Sequence, residues 1–205
     1  ERLHKIKFPL VLMHQTPPDG LDMPVVTIEN KDGAEMLVSH LIEKHGRRRI
    51  VYMRGPEGHE DSLWRERGYR EALEKHNLPF APELVVMGGF EEEIAFNNIQ
   101  KMIQEEIEFD AVFAGDDDTA IGVYRALKAS KRLIPDDVAV VGFDDVQFSR
   151  YISPALTTVR APIEEVGREA VRQLKSLMDD GQAESLVLMR TELVIRESCG
   201  CKNHP

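Results

Sequence analysis

The sequence predicts an α/β fold built on parallel β-sheet. Three observations predict it. From residue 49 to residue 142, short apolar segments alternate with longer ones whose apolar residues recur at helical spacing. The short segments RIVYM (49–53), AVFA (111–114) and VAVVG (138–142) are almost unbroken apolar runs, as strands covered on both faces of a parallel sheet are. Four strands separated by three helices need crossover connections, which place those helices on the faces of the sheet.

The elements follow in order. Residues 8–13 (FPLVLM) form a strand-like run that ends at the turn-rich QTPPDG of 15–20. Residues 24–28 (PVVTI) are β-branched and read as a second strand. Over 33–45, Ala34, Leu37, Val38, Leu41 and Ile42 fall at helical spacing, and Gly46 stands where a helix stops. The alternation then begins: strand 49–53, helix 60–76 (Leu63, Trp64, Tyr69, Ala72, Leu73), strand 84–87, helix 91–106 (Ile94, Ile99, Met102, Ile103), strand 111–114, helix 119–130 (Ala120, Ile121, Tyr124, Leu127) and strand 138–142. After Pro154 come a strand at 157–160, a helix at 163–178 and one or two closing strands in 186–195. Residues 30–152 complete a small lobe, whereas the remainder supplies about half of another, so further chain is expected before Glu1.

Charge and cysteine usage bound the function. A net charge of −10 opposes duplex DNA, which demands a basic face that releases counterions. The run Arg47-Arg48-Arg49 is too short to reverse this, so no nucleic acid is expected to bind through this chain itself. No apolar run approaches the ~18 residues of a membrane helix, and no membrane partner is expected. The two cysteines, Cys199 and Cys201, are separated by one residue, a poor geometry for a mutual disulfide; a reducing, cytoplasmic compartment is the simpler reading. A Cys-x-Cys pair needs two further ligands to hold a metal. His40 and His45 are five apart, off a common helix face, and the cysteines look remote from any structured histidine. The tail therefore reads as solvent-exposed, with no metal and no cofactor.

Ligands of open α/β sheets bind outside the carboxyl ends of the strands. Those ends lead into Gly55–His59 with Arg65 on the following helix, into Gly88, Gly89 and Phe90, into Gly115 and Asp116–Asp118, and into Phe143, Asp144 and Asp145. Carboxylates, a guanidinium and aromatic rings at one edge suit a polyhydroxylated ligand, because carboxylates accept from hydroxyls and Arg donates in a planar fork. The candidate ligand-binding residues are Arg65, Asp144, Asp116, Phe90, Phe143 and His59. Plainer readings stand beside this one. Asp117 or Asp118 would cap the next helix, Asp145 would serve a turn or a cap, Phe90 would pack the lobe, and Arg65 would make a surface ion pair. Enzyme signatures are missing. There is no G-x-S-x-G elbow and no H-E-x-x-H, and Asp116-Asp117-Asp118-Thr119 misses D-x-D-x-T by one residue.

Six segments carry a resemblance. They are Asn30 to Ala34 with His40 to Ile42 and Gly46 to Ile50; Arg65 to Leu73 (R-x-x-G-Y/F-x-x-A-L); Phe113 to Gly122; Ile134 to Asp145 (P-x-D-V/I-x-V/I-x-G-F/Y-D-D/N); Ser153 to Val159 (P-x-L-T-T-V/I); and Leu193 to Ser198 (L-V-x-R-x-S). In this order and spacing the chain resembles the effector-binding core of lactose-repressor-type (LacI/GalR family) regulators. The resemblance implies a periplasmic-binding-protein-like fold of two Rossmann-like parallel-sheet lobes joined by three crossovers, with the N-terminal lobe incomplete here. It places 1–28 and 157–189 in that partial lobe, 29–156 and 190–198 in the C-terminal lobe, and 199–205 in a tail. It implies a homodimer binding a sugar-like or nucleoside-like effector between the lobes, gripped by Arg65, closed by Asp144 and stacked by Phe90. Asp116 stands where the family usually has Asn. The Ser198-Cys199-Gly200-Cys201 tail also resembles sensor cores joined to cyclase or kinase domains, and the same lobes serve transporter solute-binding proteins.

Overall fold

The structure, a computed structural model, describes residues 8–202. Residues 1–7 and 203–205, the outer ends of the expected partial lobe and tail, lie outside them. The chain divides into two compact units, residues up to Glu29 with Ala161–Thr191, and Asn30–Arg160 with Glu192 onward.

The smaller unit holds a parallel sheet of order β1-β2-β8, from β1 (Leu12–Met13), β2 (Val25–Ile28) and β8 (Leu186–Met189), with helix α5 (Ile163–Asp179). Strand β1 is shorter than 8–13; it pairs Leu12 with Val25 and Met13 with Val26, and Leu12 N donates to Pro24 O and His14 N to Val26 O. Helix α5 turns Val166 and Ala170 inward and puts charges outward.

The larger unit contains α1 (Asn30–His45), β3 (Ile50–Arg54), α2 (Glu60–Lys75), β4 (Val85–Met87), α3 (Glu92–Gln104), β5 (Ala111–Ala114), α4 (Asp117–Ala129), β6 (Ala139–Val141), β7 (Thr158–Arg160) and β9 (Glu192–Val194). Its parallel sheet has the order β4-β3-β5-β6. Strand side chains alternate between two cores. Val51, Met53, Val112 and Ala114 face a cluster with Ile99 and Met102 of α3 and Val123 and Leu127 of α4. Tyr52 and Phe113 point the other way; Tyr52 stacks on Tyr69 of α2 at 5.5 Å and meets the Phe113 ring at 5.1 Å. The phenols are satisfied, Tyr52 donating to Ser62 O and Tyr69 to Ile50 O. Each large apolar side chain buried this way contributes roughly 1.5–3 kcal/mol.

Two expectations are corrected. Helix α1 begins at Asn30 and runs through Gly33, which is buried inside it. Residues 157–160, expected in the partial lobe, belong to the larger unit, because β7 pairs antiparallel with β9 there. The divisions fall after residues 29, 160 and 191.

Helices α1 and α2 approach closely at Gly68, where an added Cβ would stand 2.1 Å from Lys31 O and 2.9 Å from Ala34 Cβ. Backbone cannot yield as a side-chain tip does. Gly68→Ala is expected to cost ~1–3 kcal/mol through overpacking, read in a thermal melt as a fall of roughly 2–4 °C per kcal/mol. An unchanged melt would show that the helices separate freely.

Candidate functional site

The strand order sets where a ligand can sit. The chain runs from β3 outward to β4, then returns past β3 to β5 and β6. The switch point is between β3 and β5, the place where the loops beyond adjacent strand ends diverge and leave a crevice. All six candidate residues lie beyond strand carboxyl ends of this sheet or on the helix that follows β3.

Arg65 is at the centre. It is buried on the first turns of α2, and its planar fork is held on three sides. Nε donates to Asn30 Oδ1 at 2.9 Å, Nη1 to Gly115 O at 2.6 Å and Nη2 to Asp144 Oδ1 at 3.2 Å. The guanidinium carbon lies 3.8 Å from the centroid of the Phe143 ring, in cation–π contact. Asn30 is itself oriented, since its Nδ2 donates to Asp61 Oδ1. Three of the five guanidinium donors are thus engaged among the described residues.

Asp144 adopts φ of 109°, in the left-handed region that a non-glycine residue enters at a cost. Its backbone N–H donates to Val159 O, which fixes the turn. The side chain keeps 29% of its exposure beside the nearly buried Arg65. Burial raises its carboxyl above the ordinary range, and Arg65 opposes that shift.

Phe90, also at positive φ, is half-buried and lies across the strand ends. A Cβ at Gly55 would stand 2.3 Å from its ring, so only glycine admits the ring there. His59, exposed at the N-cap of α2, meets Phe90 edge-on at 5.1 Å, and the Arg65 guanidinium carbon is 5.8 Å from the Phe90 centroid. The fold therefore brings Arg65, Asp144, Phe90, Phe143 and His59 together, but on different terms. Phe143 is fully buried beneath the guanidinium and offers support rather than a free ring face.

The acidic run divides its work differently from expectation. The cap of α4 is Asp116, whose Oδ1 accepts from Thr119 N at 2.8 Å, and burial raises its carboxyl. Asp117 is not a cap. Fully buried, it accepts from Ser149 Oγ and Thr158 Oγ1, each at 2.6 Å, and from Val146 N at 3.0 Å, and burial pushes its carboxyl up to about 7. Asp118 is exposed in the first turn of α4. Asp145 has a nearly buried side chain that accepts from Arg160 Nε at 2.8 Å and Arg196 Nη2 at 2.5 Å. Sequence reasoning missed Asn30 and the Asp117 hub. An Asn three residues before Gly33, at the head of the 33–45 helix, was the signal available for Asn30.

The tail also departs from expectation. Cys199 is buried, and Cys201 Sγ stands 3.3 Å from His45 Nε2 and 3.6 Å from His40 Nε2. The cysteines are therefore not remote from structured histidines. The five-residue spacing is no obstacle, because His45 ends the helix and its ring meets that of His40 edge-on at 5.1 Å.

No helix among the described residues is long and apolar enough to cross a membrane. The periplasmic binding protein-like domain family matches residues 38–199. The chain is 32% identical over 191 residues to the probable HTH-type transcriptional repressor ExuR of Bacillus subtilis, covering 93% of this chain and 57% of that protein. It is similar to the solved transcriptional regulator CelR–cellobiose complex, with TM-score 0.88 and 32% identity over 96% of this chain and 60% of that one. A regulatory protein of LacI family from Chloroflexus aggregans superposes with TM-score 0.90 and 30% identity, covering 100% of this chain and 72% of that one. The chain spans about half the length of the curated relatives it matches.

Proposed function

The chain belongs to the periplasmic binding protein-like domain family of LacI-type regulators, and from that premise we propose that it is the effector-binding part of a transcriptional regulator whose effector is a sugar. The observation that carries the reading is the planar Arg65 fork held at the switch point beside Asp144, with Phe90 alongside. Guanidinium donors and a carboxylate acceptor match the paired hydroxyls of a sugar ring, and an aromatic ring covers its C–H face. The cellobiose complex of the CelR relative supports a sugar over other polar ligands.

The effector acts only if it binds one conformation better than another. With a net charge of −10, this part of the protein serves as the sensor, and DNA contact falls to a segment of different charge. The working form is a homodimer in the cytoplasm, as recognition of a two-fold operator requires.

A thermal-shift panel of ribose, glucose, galacturonate and cellobiose, followed by calorimetry on the strongest hit, tests the reading. One sugar class is expected to raise the melting temperature, by the equivalent of ~2.7 kcal/mol at a hundredfold excess over Kd. Asp144→Asn keeps an oxygen for Arg65 but removes the charge, and is expected to weaken that sugar ~10–100-fold with the fold intact. A panel without a shift, or an Asp144→Asn protein binding like the parent, would overturn the proposal.

A further inference from the structure

The structure assigns a second site to this chain: a closed Cys2His2 centre for a soft divalent cation, zinc above all, formed by His40, His45, Cys199 and Cys201. One donor atom from each residue lies within 4.8 Å of all the others. A tetrahedral ion with Zn–N of ~2.0 Å and Zn–S of ~2.3 Å sets its ligands ~3.3–3.8 Å apart. The Cys201 Sγ distances of 3.3 Å to His45 and 3.6 Å to His40 are already in that range.

The surroundings agree with a built site. Cys199 and His40 are buried, and His45 and Cys201 half-buried, so the four donors are not a chance surface group. The cysteine backbone is positioned from the sheet. Ser198 Oγ donates to Val140 O at 2.6 Å and accepts from Thr157 N at 2.8 Å, while Val140 N donates to Ser198 O. Gly200, at φ of 110°, then folds the chain so that Cys201 returns toward α1. A Cβ at Gly200 would stand 3.0 Å from His45 Nδ1, so the intervening residue is required to be small. His45 is the last residue of α1, where the helix dipole presents its negative end to a cation. Two thiolates and two imidazoles select zinc over magnesium or calcium, and four protein ligands leave no open position, which marks a structural rather than a catalytic centre. Binding is balanced in charge and protons: the ion enters as M²⁺, the two thiols release two protons, and the centre becomes neutral. Its role is to clasp the chain after β9 to the end of α1 within the larger unit. It shares no residue with the Arg65 site, so either proposal can fail alone.

The full-length protein, reduced and stripped of metal, is titrated with Co²⁺ and then Zn²⁺. One equivalent of cobalt is expected, with thiolate-to-metal charge-transfer absorption and tetrahedral d–d bands, displaced by zinc with a rise in melting temperature. Cys201→Ser is expected to weaken binding at least 100-fold, and His45→Gln, which leaves both thiols in place, serves if the first variant misfolds. Absence of stoichiometric binding by the folded parent, or binding equal to the parent in both variants, overturns the assignment. Material made without reductant that lacks metal and is lighter by two hydrogens per chain also overturns it, in favour of a disulfide.

Discussion

Replacing Asp117 by Ala is expected to produce the largest loss of stability in this protein, ~3–6 kcal/mol. The carboxyl receives three donors from two segments, Val146 N and Ser149 Oγ from one short turn and Thr158 Oγ1 from β7, and truncation strands all of them in a dry interior. Each stranded donor costs ~1–3 kcal/mol. Asp117→Asn should behave differently. An amide retains one oxygen for the Val146 and Ser149 donors, and the Thr158 hydroxyl rotates from donor to acceptor. The pair also carries a pH signature. Burial holds the Asp117 carboxyl up to about 7, whereas an unfolded chain ionises near 3.9. Between about pH 4 and 7 the folded protein holds the extra proton, so its stability falls as pH rises through that window and levels above it. Asp117→Asn lacks this slope, and the difference between the two proteins should span ~3–4 kcal/mol. Denaturant melts of both proteins at pH 4.5, 6 and 7.5 decide it; parallel curves would refute the buried-acid account.

Arg65→Lys is expected to abolish effector binding more completely than any other single change at the site. An ammonium is a point donor on a flexible stem. It cannot reach Asn30 Oδ1, Gly115 O and Asp144 Oδ1 in one plane, nor lie flat on Phe143. Losing the fork should lower affinity for the sugar found by thermal shift by at least ~100-fold, the ~3 kcal/mol upper range of a charge-assisted hydrogen bond. Arg65→Ala is the less informative variant. It leaves Asp144 uncompensated and two buried acceptors unpaired, and removing one partner of a buried ion pair costs ~3–5 kcal/mol. Part of the molecule is then expected to unfold, so loss of binding would be ambiguous. Calorimetry with Arg65→Lys, checked against its circular dichroism, separates the effects, and parent-like affinity would remove Arg65 from the site.

Much of the fold was legible because its signals are local. The unbroken apolar runs of β3, β5 and β6 and the helical periods of α2 to α5 need no knowledge of the rest of the chain. The site was partly legible for a topological reason, since parallel strands deliver their carboxyl ends to one edge wherever each strand begins. That is why Arg65 and Asp144, 79 residues apart, could be grouped from sequence and stand 3.2 Å apart. The division of labour in Asp116-Asp117-Asp118 was not legible. Three adjacent acids look alike in a string, and only their directions at the start of the folded α4 make one a cap, one a hub and one a surface charge.

By itself the sequence determined the class of fold, the order of its elements and the sheet edge at which Arg65, Asp144 and Phe90 gather, because periodicity and strand direction are properties of the chain. Tertiary structure alone decided which atoms meet: Asn30 with Arg65, Asp117 with Ser149 and Thr158, and Cys201 with His40 across 161 residues. Those meetings depend on how helices and strands pack in three dimensions, and residues that far apart carry no shared period from which such packing could be read.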